Sequence, residues 1–319
     1  MKFYPLTFEP IYKERIWGGT KLKDFLNKSF DGNYIGESWE LSTVANDVSV
    51  VSNGDFAGLT LNDLIDKFPT EILGSKSIEK FGLEFPLLFK FLDAKEDLSI
   101  QVHPNDELAK LRHNSFGKTE MWYVLQADVN ARLVVGFKNK TSKKEYLQHL
   151  EANSLLDILN ETLVKKGDAF FLETGTVHAI GAGVLIAEIQ QTSDITYRLY
   201  DWDRVDASGI GRELHTDLAV EAINYEETNT KVQYKNKTNE SVNLVDCPFF
   251  TTNILAVSGN YNWKKKKDSF TVFMCAEGGF VLLTSQFKSE FKKGDTVLIP
   301  ATLEAFQIIG ETSLLEITI

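Results

Sequence analysis

The chain has 319 residues and a formal charge of -11, and its hydrophobic fraction of 43% and charged fraction of 25% are typical of a globular protein. This acidic balance disfavours nucleic acid as a partner, because duplex binding depends on cationic side chains that contact phosphate. A small anionic substrate remains compatible with it, since a few convergent cations create a local positive pocket. The length favours two domains, with one large β domain as the alternative.

The compartment can be inferred from what the sequence lacks. No segment approaches the roughly 20 apolar residues of a membrane span, and residues 1–5 lack the apolar core of a secretory signal. Cys247 and Cys275 have no CxxC partner, which disfavours both a disulfide framework and a thiolate metal site. We therefore expect a cytoplasmic protein with no membrane association, and the sequence indicates no obligate protein partner.

Short strands separated by turns are predicted through much of the first 200 residues. Six segments have the length and the β-branched or aromatic composition of strands, namely residues 85–92, 98–103, 120–125, 132–137, 169–172 and 184–189. Because no long helices lie between them, they favour an antiparallel sandwich or barrel over a doubly wound parallel sheet. The fold class is therefore predicted to be mainly β.

Only a few short helices are predicted, as covers on the sheets. Thr60 precedes a helical apolar stripe, and Ser142 and Glu145 have the spacing of a capping box. Thr216 precedes a third apolar run, at residues 218–223.

A repeated turn indicates two related barrels. The sequence KKGD occurs at residues 165–168 and 292–295, each time before an apolar strand, and a polar stretch at 225–241 separates the two copies. The first copy continues to His178, whereas the second continues without a histidine. We therefore predict a metal-binding domain at residues 1–235 and a smaller, degenerate β-barrel at 240–319. The second barrel either closes one side of the pocket or stabilises the first.

Four side chains are candidates for a metal site. Strand alternation puts Ser99, Gln101 and His103 on one face. His178 follows a glycine-containing turn, and Glu120 opens a strand. Two imidazoles, a carboxylate and an amide oxygen suit zinc or a similar divalent metal, and a weak fourth ligand leaves room for water or substrate, as in catalytic sites.

The chain resembles the type I mannose-6-phosphate isomerases of the short form, within the cupin superfamily. Together the shared motifs are highly specific, and they occur in the family's order across most of the first 205 residues. They are ERIWGG at 14–19, GESWELS at 36–42, LSIQVHP at 98–104, GKTEMWY at 117–123, GTVHAI at 175–180, EIQQTSD at 188–194 and YRLYDW at 197–202.

The resemblance implies a jelly-roll cupin barrel that carries the catalytic site, with a cupin-like barrel after it. It also implies one Zn²⁺ per chain, held by Gln101, His103, Glu120 and His178. Arg198 falls on the family's catalytic arginine. Ser99, Lys118 and Lys90 fall where the family lines its sugar-phosphate pocket.

A general base is needed to move a proton between C2 and C1 of the sugar. Glu188 is our candidate, because it lies ten residues before Arg198 and a hairpin between them would place both on one face. A metal-bound hydroxide is the alternative base. Arg198 either stabilises the developing enediolate or grips the phosphate, since its guanidinium stays protonated and presents a rigid donor fork. Lys118 and Glu120 share a face by alternation.

The expected function is zinc-dependent interconversion of D-mannose 6-phosphate and D-fructose 6-phosphate through an enediolate. A cupin that senses sugar phosphates without turning them over is the first alternative. A redox cupin that uses iron is the second, and the extra ligand Gln101 argues against it, because the usual iron set is two histidines and one carboxylate.

Overall fold

The architecture is seen in a computed structural model of the chain, which describes residues 2–205 and 208–319. The described residues form eighteen strands: β1 Ile11–Gly19, β2 Ile35–Leu41, β3 Leu87–Ala94, β4 Ile100–Val102, β5 Glu120–Ala127, β6 Arg132–Phe137, β7 Leu159–Leu163, β8 Ala169–Leu172, β9 His178–Ile180, β10 Val184–Gln191, β11 Tyr197–Tyr200, β12 Lys231–Val232, β13 Ser241–Asp246, β14 Thr251–Lys264, β15 Thr271–Leu283, β16 Lys288–Lys292, β17 Thr296–Ile299 and β18 Ala305–Thr318. The helices are α1 Lys21–Asp24, α2 Leu61–Lys67, α3 Pro69–Leu73, α4 Ser75–Phe81, α5 Asp106–His113, α6 Lys143–Glu151 and α7 Thr216–Ala222. The prediction of a mainly β fold is confirmed.

Two antiparallel sheets make up the first part of the chain. One has the strand order β1-β2-β3-β10-β5-β8-β12, and the other has the order β11-β4-β9-β6-β7. Trp122 and Val124 of β5 share a buried core with Leu133 and Val135 of β6, so the two sheets pack face to face. The six predicted strands correspond to β3, β4, β5, β6, β8 and β10, although β4 is only three residues long.

The third sheet contains only strands from residues 241–318, in the order β13-β14-β18-β15-β16, with β17 paired to β15. Its KKGD turn has the same geometry as the first copy. Asp168 accepts a hydrogen bond from the Lys165 amide (3.1 Å), and Asp295 accepts one from the Lys292 amide (2.8 Å). Both turns need glycine, because Gly167 and Gly294 have φ values of 88° and 89°. The repeat in the sequence is therefore also a repeat in the structure.

The helices cover the sheets, as predicted. Thr60 and Asp63 form a capping box at α2, and the hydroxyl of Ser142 accepts a hydrogen bond from the Glu145 amide at α6 (3.2 Å). The third predicted helix is α7, which begins at Thr216 itself, so that His215 takes the N-cap position. Helices α1, α3 and α4 have no counterpart in the sequence predictions. Within the described residues, every helix falls short of the length and apolarity that crossing a bilayer requires.

The part of the chain that contains the first two sheets contacts the part that contains the third sheet at several places. The Leu6 amide donates to the Leu298 carbonyl (2.8 Å), and the Leu298 amide donates back to the Leu6 carbonyl (2.9 Å). Phe85 and Phe270, from the two parts, pack with their ring centroids 4.7 Å apart in one core. The predicted linker at 225–241 contains β12, which adds to the edge of the first sheet beside β8. The division into residues 1–235 and 240–319 stays a prediction.

Candidate metal centre and active-site cleft

The four predicted metal ligands come together between the two facing sheets. Gln101 on β4 lies opposite His178 on β9 in the strand register, and their Nε2 atoms are 3.3 Å apart. Glu120, the first residue of β5, reaches across from the other sheet. Its Oε1 lies 3.3 Å from His178 Nε2, and its Oε2 lies 3.6 Å from Nε2 of His103, which follows β4 directly.

Both imidazoles are held in the form that binds a metal. His103 donates from Nδ1 to the Ile195 carbonyl (2.9 Å), and His178 donates from Nδ1 to the Thr176 carbonyl (2.8 Å). Each carbonyl fixes the tautomer and leaves a lone pair on Nε2, as backbone partners of metal-ligating histidines commonly do. Burial lowers the pKa of His178 to about 4, and burial with the nearby charge of Lys118 lowers the pKa of His103 well below its usual range. Neutral imidazoles are therefore strongly favoured at both positions.

Three buried polar atoms at the centre lack a hydrogen-bond partner in the part of the chain that the structure describes. They are His103 Nε2 and both carboxylate oxygens of Glu120. One ligand atom from each of His103, Glu120 and His178 lies within 4.8 Å of the others. Burial and the charge of Glu188 raise the pKa of Glu120 to about 8, although the charges of Lys118 and Lys90 act in the opposite direction. A divalent metal would satisfy all three residues, and Gln101 offers an amide oxygen as a fourth ligand once its amide is flipped.

The centre opens into a cleft of about 460 Å³ that is unusually rich in charge. Its charged lining consists of Arg15, Lys90, Lys118, Arg198 and Arg212, together with Glu37, Glu188 and Asp194. Five cations against three carboxylates make this cleft positive in an acidic protein. A larger cavity of about 880 Å³ adjoins it at Asp194, but none of the four predicted metal ligands is among the described residues that line that cavity.

Glu188 lies on the wall of the cleft, in a fixed position. It faces Lys90 across the β3–β10 pair, with Lys90 Nζ 3.2 Å from Glu188 Oε2, and Trp122 donates from Nε1 to Glu188 Oε1 (2.9 Å). Burial alone would raise the pKa of Glu188, but the charges of Lys90 and Lys118 outweigh it and the pKa lies below its ordinary value. The side chain is therefore an ionised carboxylate held by two donors.

Arg198 also lines the cleft, but the predicted hairpin between its strand and that of Glu188 is wrong. Strand β10 pairs with β3 and β5, whereas β11 pairs with β4 in the opposite sheet. The two side chains meet because the sheets face each other. Arg198 lies opposite Gln101 in the register, and its Nε is 3.4 Å from the hydroxyl of buried Ser99. Lys118 is also buried, with Nζ 3.7 Å from Glu120 Oε2.

Similarity to known proteins identifies the family. Residues 6–128 match the model of the phosphomannose isomerase type I catalytic domain, and residues 240–319 match that of the mannose-6-phosphate isomerase cupin domain. The chain is 39% identical to the mannose-6-phosphate isomerase ManA of Bacillus subtilis over 310 residues, which cover 96% of each protein. The chain belongs to the type I phosphomannose isomerase family.

Other members of the family agree with this assignment. A mannose-6-phosphate isomerase of Streptococcus mutans is 34% identical over 98% of this chain and 97% of its own length. The crystal structure of a mannose 6-phosphate isomerase from Bacillus subtilis superposes with a TM-score of 0.91 at 33% identity, covering 99% of this chain and 100% of that one. The predicted cupin fold is confirmed, and the chain is an enzyme of the phosphomannose isomerase family.

Several residues of this phosphomannose isomerase site were not predicted. Glu37 accepts hydrogen bonds from Arg15 Nε (2.8 Å) and Trp39 Nε1 (2.6 Å), and Lys90 Nζ lies 4.9 Å from the centroid of the Trp39 ring. Arg15, Glu37 and Trp39 all stand in the motifs that carry the family resemblance, so a signal for them exists in the sequence. Arg212 also lines the cleft, and no local motif marks it.

Proposed function

We propose that this enzyme interconverts D-mannose 6-phosphate and D-fructose 6-phosphate, with one Zn²⁺ per chain. The observation that carries the proposal is the buried group of His103, Glu120 and His178, whose unpartnered atoms lie at the end of a positive cleft. The names of the two relatives at 39% and 34% identity support mannose 6-phosphate as the substrate. The excess of cations in the cleft suits a substrate that carries a phosphate dianion.

In this proposal His103, Glu120, His178 and Gln101 hold the metal. Zinc suits a set of two imidazole nitrogens and two oxygen donors, and when bound it supplies a Lewis acid for the sugar oxygens at C1 and C2. The carbonyls of Ile195 and Thr176 orient the two imidazoles from behind.

Glu188 is proposed as the base that takes the proton from one sugar carbon and returns it to the other. Its carboxylate is ionised, lines the cleft and is fixed by Lys90 and Trp122, so it meets the substrate without rearranging. The fixed carboxylate also faces the cleft from the sheet opposite to Arg198. The two groups can therefore act on opposite sides of one bound sugar.

Positive side chains are proposed to bind the substrate and the charge that develops on it. Arg198, half-buried beside Ser99 and Gln101, is suited to stabilise the developing enediolate, because a preorganised cation in a water-poor site costs no reorganisation. Lys118, Ser99 and Lys90 are proposed to contact the sugar hydroxyls. All four residues line the cleft, which supports these roles.

The test is a coupled assay for fructose 6-phosphate formed from mannose 6-phosphate, with metal content measured in the same samples. We expect activity to be lost on chelation and restored by zinc, and one zinc ion to be bound per chain. His178→Ala should lose both metal and activity, while His149→Ala, whose ring contacts Ser154 away from the cleft, should lose neither. A folded, zinc-loaded protein without turnover would instead favour a sugar-phosphate sensor.

We also propose that the enzyme works in the cytoplasm. Both cysteines are free, Cys275 is buried, and burial raises the pKa of its thiol to about 11, which is the state expected of an unreactive thiol in a reducing compartment. Fractionation that recovered the protein outside the cytoplasm would contradict this.

A further inference from the structure

The chain segment after β11 turns back and runs beside that strand. The His215 amide donates to the Arg198 carbonyl (2.7 Å), and the Arg198 amide donates to His215 Nδ1 (3.1 Å). The guanidinium of Arg198 in turn donates from Nη1 to the Glu213 carbonyl (2.8 Å). These contacts bring Arg212 to the wall of the same cleft as Arg198.

Arg212 is held in place by a buried carboxylate. Asp201 accepts from Arg212 Nε at Oδ2 (2.7 Å) and from Arg212 Nη2 at Oδ1 (2.5 Å), and only 5% of Asp201 is exposed. The same carboxylate also accepts from Arg204 Nη2 (2.5 Å). A guanidinium fixed by a bidentate pair is preorganised, so it loses little freedom when it binds an anion.

Among the described residues, the charge at this end of the cleft is incompletely balanced. Lys90 is paired with Glu188, Lys118 lies beside Glu120, and Arg15 is paired with Glu37. Asp201, in contrast, is shared between Arg204 and Arg212. Arg198 and Arg212 line the same cleft, so their two positive guanidinium groups repel each other. A doubly charged anion between them would relieve this repulsion.

We propose that Arg212 binds the phosphate group of the substrate, and that Asp201 is the positioning residue that aims it. This inference rests on the proposed function, since it assigns one end of the sugar phosphate to a place in the same cleft. The phosphate then lies at the β11 end, with Arg198 between it and Gln101, the proposed metal ligand that Arg198 faces across the β4–β11 pair. Arg212 thereby makes the enzyme bind phosphorylated sugars in preference to unphosphorylated ones.

The experiment compares Arg212→Gln, Arg212→Lys and Arg132→Gln in the metal-loaded enzyme. Arg132 is the control, because it pairs with Asp97 and Glu161 outside the cleft and its replacement removes the same charge. We expect Arg212→Gln to raise KM for mannose 6-phosphate by about 10- to 100-fold with kcat changed much less, because one charged hydrogen-bonding contact is lost. The inhibition constant of inorganic phosphate should rise in parallel.

Two further variants separate a contact with phosphate from a structural effect. Arg212→Lys should recover part of the affinity, because it keeps the charge and loses the fork. Asp201→Asn should raise KM and the phosphate inhibition constant as Arg212→Gln does, whereas a purely structural role would lower only the unfolding temperature. KM and phosphate inhibition within about twofold of wild type in Arg212→Gln, or an equal change in Arg132→Gln, would overturn the inference.

A binding measurement keeps the inference distinct from the proposed function. Inorganic phosphate should raise the unfolding temperature of the wild-type protein, with or without metal, and should do so less in Arg212→Gln. If the wild type lacks isomerase activity, the proposed function fails, and this shift still decides the role of Arg212. No stabilisation by phosphate in the wild type, or the same stabilisation in both proteins, counts against phosphate binding at Arg212.

Discussion

Lys90 and Glu188 lie directly opposite each other on β3 and β10, and their charged ends meet 3.2 Å apart with almost no exposure to solvent. Lys90 Nζ also lies over the ring of Trp39, and Glu188 accepts a hydrogen bond from Trp122. The pair joins two neighbouring strands of one sheet through one cross-strand contact. Breaking it leaves a buried charge without its partner, which is costly in a protein interior.

Lys90→Met should therefore destabilise the protein. We expect the free energy of unfolding of the metal-free protein to fall by about 3 kcal/mol, because Glu188 stays buried without its cation. Urea unfolding measures this. The control is Lys140→Met, since Lys140 and Glu226 form an exposed pair (71% and 60% exposed side chains) whose loss should cost less than about 1 kcal/mol. Equal losses in the two variants would contradict burial as the cause.

Glu188→Gln tests the proposed base. The amide keeps the shape of the side chain but cannot take a proton, so kcat should fall by about 10²- to 10⁴-fold while metal content and KM stay close to wild type. Glu161→Gln is the control, because Glu161 is a partly exposed carboxylate that pairs with Arg132 outside the cleft. A kcat within tenfold of wild type would show that Glu188 is not the base and that another group transfers the proton.

Asp93 should make stability depend on pH. Its Oδ2 accepts a hydrogen bond from the Lys21 amide (2.6 Å), whereas its Oδ1 is buried without a hydrogen bond among the described residues. Burial raises the pKa of Asp93 from 3.8 to about 6. The folded state therefore binds the extra proton more tightly than the unfolded state. This contribution to stability is fully present below pH 3.8 and is lost as the pH rises through 6.

Asp93→Asn imitates the protonated form at every pH. Relative to wild type, its free energy of unfolding should gain on the order of 2 kcal/mol between about pH 4 and about pH 7, and then level off. Urea unfolding across this range gives the difference curve. If the difference in unfolding free energy did not change with pH, the pKa of Asp93 would not be raised in the folded protein.

The repeated turn predicts a glycine requirement at Gly294. An alanine there would adopt a φ of 89° and place its Cβ 2.6 Å from the Leu26 carbonyl oxygen, so we expect a loss of about 3 kcal/mol in unfolding free energy. Gly58→Ala is the matched control, because Gly58 has a φ of 87° with nothing within 4 Å of the added carbon. Its loss should be about 1 kcal/mol, from backbone strain alone. Equal losses would show that the contact with Leu26 is unimportant.

The sequence was sufficient for much of the site because the relevant patterns are local. Alternation over five residues puts Ser99, Gln101 and His103 on one face, and all three reach the cleft or the metal centre even though β4 itself has only three residues. The KKGD turn is equally local, since one aspartate closes the turn around one glycine. Such features need no knowledge of distant neighbours.

The remaining features depend on contacts between distant parts of the chain. Glu188 and Arg198 are ten residues apart, and the sequence cannot distinguish a hairpin from a crossing between sheets, because both use the same alternating pattern. Arg212 reaches the cleft only because the returning segment bonds to β11 through His215. A basic residue in a polar loop gives no sign of such a contact.

The pairing of Leu6 with Leu298 bears on how the protein folds during synthesis. Residue 6 is synthesised long before residue 298, so the segment around residue 6 cannot pair until residue 298 has also been made. The facing sheets that carry the metal ligands can assemble earlier, since their strands lie between residues 11 and 232. We therefore expect residue 6 to attach to the sheet of residues 241–318 late in folding, because this contact joins residues that are far apart in sequence.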